Sequence, residues 1–132
     1  MVDSPLIKKL CIKSGQRMII INPPVGYMDL LGALPEGVEL ATELEGTFDF
    51  IHLFVQTISE LENFAPKVIS ALKYDGMLWI AYPKRTSKVK TDIYRDVGWD
   101  VIENAGLRGV SQIAINDVWS ALRFRPAERV GK

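Results

Sequence analysis

Hydrophobic residues gather in short runs separated by polar breaks rich in Gly and Pro, and the runs are of two kinds. Met18–Ile21, Phe48–Val55 and Met77–Tyr82 are nearly continuous apolar stretches. Strands covered on both faces by helices have this pattern. Between them, apolar positions recur at helical spacing. Leu6, Ile7 and Leu10 follow Ser4-Pro5, and Met28, Leu30, Leu31 and Leu34 precede Pro35. Ile58, Leu61, Phe64, Val68 and Leu72 form the inner stripe of a helix capped by Thr57 or Ser59 and running to Lys73. Pro66 kinks or restarts that helix.

The remaining segments complete an alternation of strands and helices. Arg17–Ile21 is the first strand and Val38–Thr42 a short second one. Tyr74-Asp75-Gly76 is a turn into the fourth strand. Thr91 or Asp92 starts a helix to about Asn104, with Ile93, Val97, Val101 and Ile102 inward and Gly106 just past its end. Leu107–Ile115 and Val118–Arg125 flank an Asn116-Asp117 turn and pair as a closing antiparallel hairpin. The prediction is one Rossmann-like α/β domain over residues 1–132. It has a mostly parallel sheet of about six strands, helices on both faces and right-handed crossovers. Residues 1–15 are a helical lead-in, and 126–132 a flexible tail.

Composition narrows the function classes. No apolar run reaches the roughly 18–20 residues of a membrane span, and the lysine-broken N-terminus lacks a signal-peptide pattern. The single cysteine, Cys11, excludes an internal disulfide and suits a reducing cytoplasm. Lys and Arg balance Asp and Glu, so nucleic acid is not an expected partner. The balance is uneven along the chain. Met18–Pro66 contains no Lys or Arg, whereas Lys84–Lys90 is strongly basic. No grouping of His, Cys, Asp and Glu has metal-ligand spacing, and neither a P-loop nor a GxSxG elbow occurs. His52 lies within a buried run; it is either a neutral core residue with one hydrogen-bond partner or a catalyst.

Three segments resemble class I S-adenosylmethionine methyltransferases. Leu72–Leu78, LKYDGML, is similar to that fold's turn into its fifth strand. Phe48-Asp49-Phe50-Ile51 resembles the strand before it, and Lys13–Met18 the lead-in to the first strand. The departures are equally specific. The first loop, Asn22-Pro23-Pro24-Val25-Gly26, has one glycine where the family has a Gly-rich motif, and a strand–helix unit is missing between Thr42 and Phe48. A closer resemblance is to short prokaryotic proteins of uncharacterised function with a truncated form of this fold. It is carried by Leu34–Val38, Phe48–Phe54, Pro83-Lys84, Thr91-Asp92 and Val118-Trp119-Ser120. That resemblance implies a fold and no activity.

In the implied strand order, the ligand crevice lies between the carboxyl ends of the first and third strands. Asn22, Pro23, Gly26 and Tyr27 then face Gln56, and Glu43 stands where nucleotide-binding relatives keep an acid for ribose hydroxyls. Tyr82, Lys84, Arg85, Ser87, Asp117 and Trp119 would form an amphipathic, basic cluster at the same edge, suited to a phosphate or carboxylate. Three readings follow. The leading one is a binding module without conventional catalysis, for a small anionic or nucleotide-like ligand or a protein partner. The alternatives are a divergent methyltransferase, with S-adenosylmethionine as cofactor, and a structural subunit of a homo-oligomer.

Overall fold

The structure, a computed structural model, describes residues 5–95 and 97–130. Six strands form one sheet: β1 (Arg17–Ile21), β2 (Glu39–Ala41), β3 (Phe48–Phe54), β4 (Leu72–Pro83), β5 (Leu107–Ala114) and β6 (Trp119–Pro126). Their order is β2-β1-β3-β4-β6-β5. The first four are parallel, and β6 enters antiparallel between β4 and β5. This is the order implied by the resemblance, with one strand–helix unit removed.

Side chains alternate across the sheet, so each face has its own core. Leu53, Leu78, Ile80 and Phe124 point toward α3 (Ile58–Ala71) and α4 (Asp100–Asn104). Met18, Phe50, Phe54 and Trp79 point toward α1 (Pro5–Leu10) and α2 (Tyr27–Leu31). Helices therefore cover both faces, as the continuous apolar runs require. Ser4, expected to begin the first helix, lies outside the described residues.

Arg17 fastens the edge where the strand–helix unit is missing. Its backbone N–H donates to Asp49 at 2.8 Å, and its guanidinium donates to Glu39 and to the carbonyls of Thr47 and Glu45. The same group lies 4.1 Å over the Phe48 ring. One side chain thus ties β1 to β2 and to the short loop that replaces the missing unit.

Four segments differ from the sequence expectation. Thr57 caps α3 by accepting the Glu60 N–H, and the helix passes through Pro66 unbroken and ends at Ala71. Pro66 and Glu62 are on its exposed side, where the carbonyl that loses its donor can turn to water. Tyr74-Asp75-Gly76 lies inside β4 as a bulge: Phe48 pairs with Leu72 and Phe50 with Met77. The helix expected from residue 91 or 92 is confined to Asp100–Asn104, because Gly98 has φ +105°, outside the helical region. A Cβ at Gly98 would stand 3.0 Å from Ile58. The tail is exposed but held by hydrogen bonds as far as it is described. A 3₁₀ turn at Ala127–Arg129 bonds to the Gly106 carbonyl, and Glu128 and Arg129 reach Tyr74 and Asp75.

Candidate functional site

The β1–α2 loop leaves the sheet at its carboxyl edge. Asn22 has φ 58° and Gly26 φ 85°, so both ends of the loop adopt the left-handed conformation that Gly and Asn tolerate best. Pro23 and Pro24 stiffen the stretch between them and contribute no N–H. The side chain of Val25 is fully exposed, and a Cβ added to Gly26 would meet nothing within 4 Å. The backbone around Gly26 is therefore open to close approach.

Tyr27 does not line this opening. Its ring is buried edge-on against Phe54, and its hydroxyl lies 3.0 Å from His52 Nδ1. Burial pushes the phenol pKa up. The alternation of α2 decides the matter: Tyr27 and Leu31 face the core, whereas Met28 and Leu30 are exposed. His52 has the surroundings of a core residue. Its ring stacks on Phe54, burial pushes its pKa down to about 3, and Nε2 has no partner among the described residues. It is neutral at physiological pH.

The other crevice residues are less closely gathered. β2 ends at Ala41, level with Ile19, two residues short of the end of β1. Glu43 is exposed in the turn beyond, where its carbonyl accepts the Glu45 N–H. Gln56 follows β3, but its side chain donates to the Lys90 carbonyl at 3.0 Å. It fastens the basic loop rather than projecting freely.

The expected basic cluster is divided by the sheet. Tyr82 pairs with Ser120 and Pro83 with Trp119, so Tyr82 and Trp119 point to opposite faces. Tyr82 packs edge-on against Trp99, and Trp119 against Phe54. Asp117 is exposed in the β5–β6 turn, where the organising group is Asn116, whose side chain accepts the N–H groups of Val118 and Trp119. Ser87 bonds back to the Lys84 carbonyl. Lys84 and Arg85 do line a cavity of about 620 Å³ with Tyr82, joined by Tyr94, Arg95 and Ser120, which lay outside the expected cluster. Arg95 and Tyr94 fall within the segment whose spacing predicts a helix; the short bridge between Tyr94 and Val97 instead turns them to the cavity.

Asp92 caps a helix, but not its own: it accepts the Ile58 N–H of α3 at 2.7 Å. Trp99 Nε1 donates to the carbonyls of Tyr94 and Arg95. The 84–99 loop is therefore tied at several points to α3 and to itself. No group of three His, Cys, Asp or Glu residues placed to hold a metal ion occurs among the described residues, and no described helix is long and apolar enough to cross a membrane.

The sequence matches no protein-family model and no curated relative. Its fold, however, is shared with solved methyltransferases. The N-methyltransferase NodS from Bradyrhizobium japonicum WM9 is similar with a TM-score of 0.59 at 11% identity, over 92% of each chain. A SAM-dependent methyltransferase from Aquifex aeolicus gives 0.59 at 17% identity, over 90% of this chain and 86% of that one. The fibrillarin pre-rRNA processing protein of Methanococcus jannaschii gives 0.58 at 14%, over 87% and 68%. NodS has also been solved in complex with S-adenosyl-L-homocysteine. At these identities the likeness establishes a fold: a six-stranded, class I methyltransferase-like α/β domain.

Proposed function

We propose that the protein is a divergent S-adenosylmethionine-binding member of this fold class, using the crevice between the carboxyl ends of β1 and β3. The observation that carries the reading is the loop backbone. Although its glycines have been replaced, Asn22 and Gly26 keep positive φ at both ends, and open space faces Gly26. The N–H groups of Val25 and Gly26 have no backbone acceptor among the described residues. They are the donors the loop can offer a carboxylate. Asn22, Val25 and Gly26 would hold the methionine part of the cofactor, and Glu43 the ribose hydroxyls. When bound, S-adenosylmethionine supplies an electrophilic methyl group. The resemblance to short prokaryotic proteins with a truncated form of the fold supports the same placement of the crevice.

Calorimetric titration with S-adenosylhomocysteine tests this reading. Saturable binding is expected, and Glu43→Ala should raise the Kd about tenfold, the effect of about 1.4 kcal/mol for a hydrogen bond to a charged group. Absence of binding at millimolar ligand contradicts it. The non-catalytic reading is favoured by a different observation. Pro23 and Pro24 remove two N–H donors from the loop, while Lys84, Arg85 and Arg95 line a cavity beside β4 and pair with no carboxylate among the described residues.

A further inference from the structure

A second concavity opens where β4 leaves the sheet, on the α3–α4 face. At about 620 Å³ it lies within the roughly 300–1,000 Å³ typical of small-molecule sites, and it is far larger than a bare inorganic anion needs. Three cations line it: Lys84, Arg85 and Arg95. Elsewhere Arg17, Lys73, Arg125 and Arg129 each pair with a carboxylate. Lys84, Arg85 and Arg95 pair with none among the described residues. In a chain of zero net charge, three cations converging on one cavity make a local positive field there.

The remaining lining is aromatic, neutral polar and, at Val97, aliphatic. Tyr94 is 40% exposed, with the Arg85 guanidinium 5.8 Å from its ring centre, and Tyr82 forms a buried wall. Gln112 and Ser120 add an amide and a hydroxyl from β5 and β6. The backbone that carries the cations is anchored. The Lys84 N–H donates to the Val118 carbonyl at 2.6 Å, and Lys90 and Asp92 are bonded to Gln56 and Ile58. An anchored loop loses less freedom when a ligand arrives.

We propose that this cavity binds a planar, phosphate-bearing small molecule of mononucleotide size. The phosphoryl group is held by Lys84, Arg85 and Arg95, and the ring lies along Tyr94. Arg guanidinium forks match phosphate oxygens in pairs, and the exposed tyrosine offers a stacking face to a flat base. Lys84, Arg85 and Arg95 converge on one cavity in a chain of zero net charge, which favours a small ligand over a nucleic acid strand. The site is separate from the β1–β3 crevice and does not rest on its assignment.

Titration of the ¹⁵N-labelled protein with AMP, adenosine and inorganic phosphate, followed by amide shifts, tests the proposal. With AMP the shifts should cluster at 84–95 and around Gln112 and Ser120. AMP should bind at least tenfold more tightly than either fragment. The double variant Arg85→Gln/Arg95→Gln should weaken AMP at least tenfold while leaving the melting temperature and S-adenosylhomocysteine binding unchanged. The proposal is overturned by no shifts at 10 mM AMP (a concentration of about 10⁻² M, where even weak sites fill), or by shifts centred on Asn22–Gly26. It is also overturned if affinity ignores the double variant, or if a single-stranded oligonucleotide binds more tightly than AMP at physiological salt.

Discussion

The Tyr27 hydroxyl lies 3.0 Å from His52 Nδ1, joining the first residue of α2 to the middle of β3 across 25 positions of sequence. The Phe54 ring contacts both partners, 4.7 Å from the Tyr27 ring centre and 4.4 Å from that of His52. The candidate cofactor loop ends at this pair, so its exit is set by the core rather than by solvent. Tyr27→Phe keeps the packing and removes the hydroxyl, leaving a buried imidazole nitrogen unpaired. Urea unfolding should show a loss of about 1–3 kcal/mol, with the fold intact by circular dichroism.

His52 also makes a pH prediction. It is the only histidine in the chain, and burial holds its pKa near 3 instead of the ordinary value of about 6.5. Between those values the unfolded chain binds a proton that the folded one refuses, so stability falls as pH falls through this window. Folded and unfolded states differ by nearly one proton at pH 5, which gives a slope approaching about 1.4 kcal/mol per pH unit. Unfolding free energy should be about 2 kcal/mol lower at pH 5 than at pH 7. Asp49 and Asp75 do not confuse this interval. Their pKa values are lowered, by the Arg17 N–H and by the Arg125 guanidinium respectively. Their contribution is lost only as pH falls below the ordinary carboxylate range. Equal stability at pH 5 and 7 would contradict the assignment, and His52→Phe should flatten the difference.

Gly26 and Asn22 separate backbone strain from contact. A Cβ at Gly26 meets nothing, so Gly26→Ala should cost only the strain of a positive φ, about 1–2 kcal/mol. Asn22→Gly relieves the same kind of strain and should change stability by less than about 1 kcal/mol. Chemical denaturation of the two variants checks the contrast.

Asp92 caps α3 from another part of the chain. Asp92→Ala should cost about 1 kcal/mol, a fall of roughly 4 °C in melting temperature for a domain of this size. The Ile58 amide and the 84–95 amides should exchange faster with solvent. A variant that lowers stability without changing Ile58 exchange would contradict the cap.

The sheet was legible because its buried strands are written as continuous apolar runs and its breaks as Gly and Pro. The hairpin was legible because Asn116-Asp117 separates two strand-like stretches. Residues that bond at long range were not legible. Nothing near Arg17 in sequence announces Asp49, Thr47 and Glu45 as its partners, and Asp92 looks like a cap for the segment that follows it. The apolar spacing of Ile93, Val97, Val101 and Ile102 suits a helix, yet Gly98 and the Trp99 indole favour an irregular loop that leaves Val97 exposed. Tyr82 and Trp119 were expected to lie together. The register that pairs Tyr82 with Ser120 sends them to opposite faces, and a one-residue difference of register reverses every side chain.

The most direct test of the cofactor reading is the melting temperature with and without saturating S-adenosylhomocysteine. A ligand at 100 times its Kd stabilises by about 2.7 kcal/mol, which for a domain of this length raises the midpoint by roughly 10 °C. A rise of that order, cut to roughly half in Glu43→Ala because a tenfold weaker ligand stabilises by only about 1.4 kcal/mol at the same concentration, is the predicted result. An unchanged midpoint at millimolar ligand would contradict it and leave the methyltransferase likeness as one of fold alone.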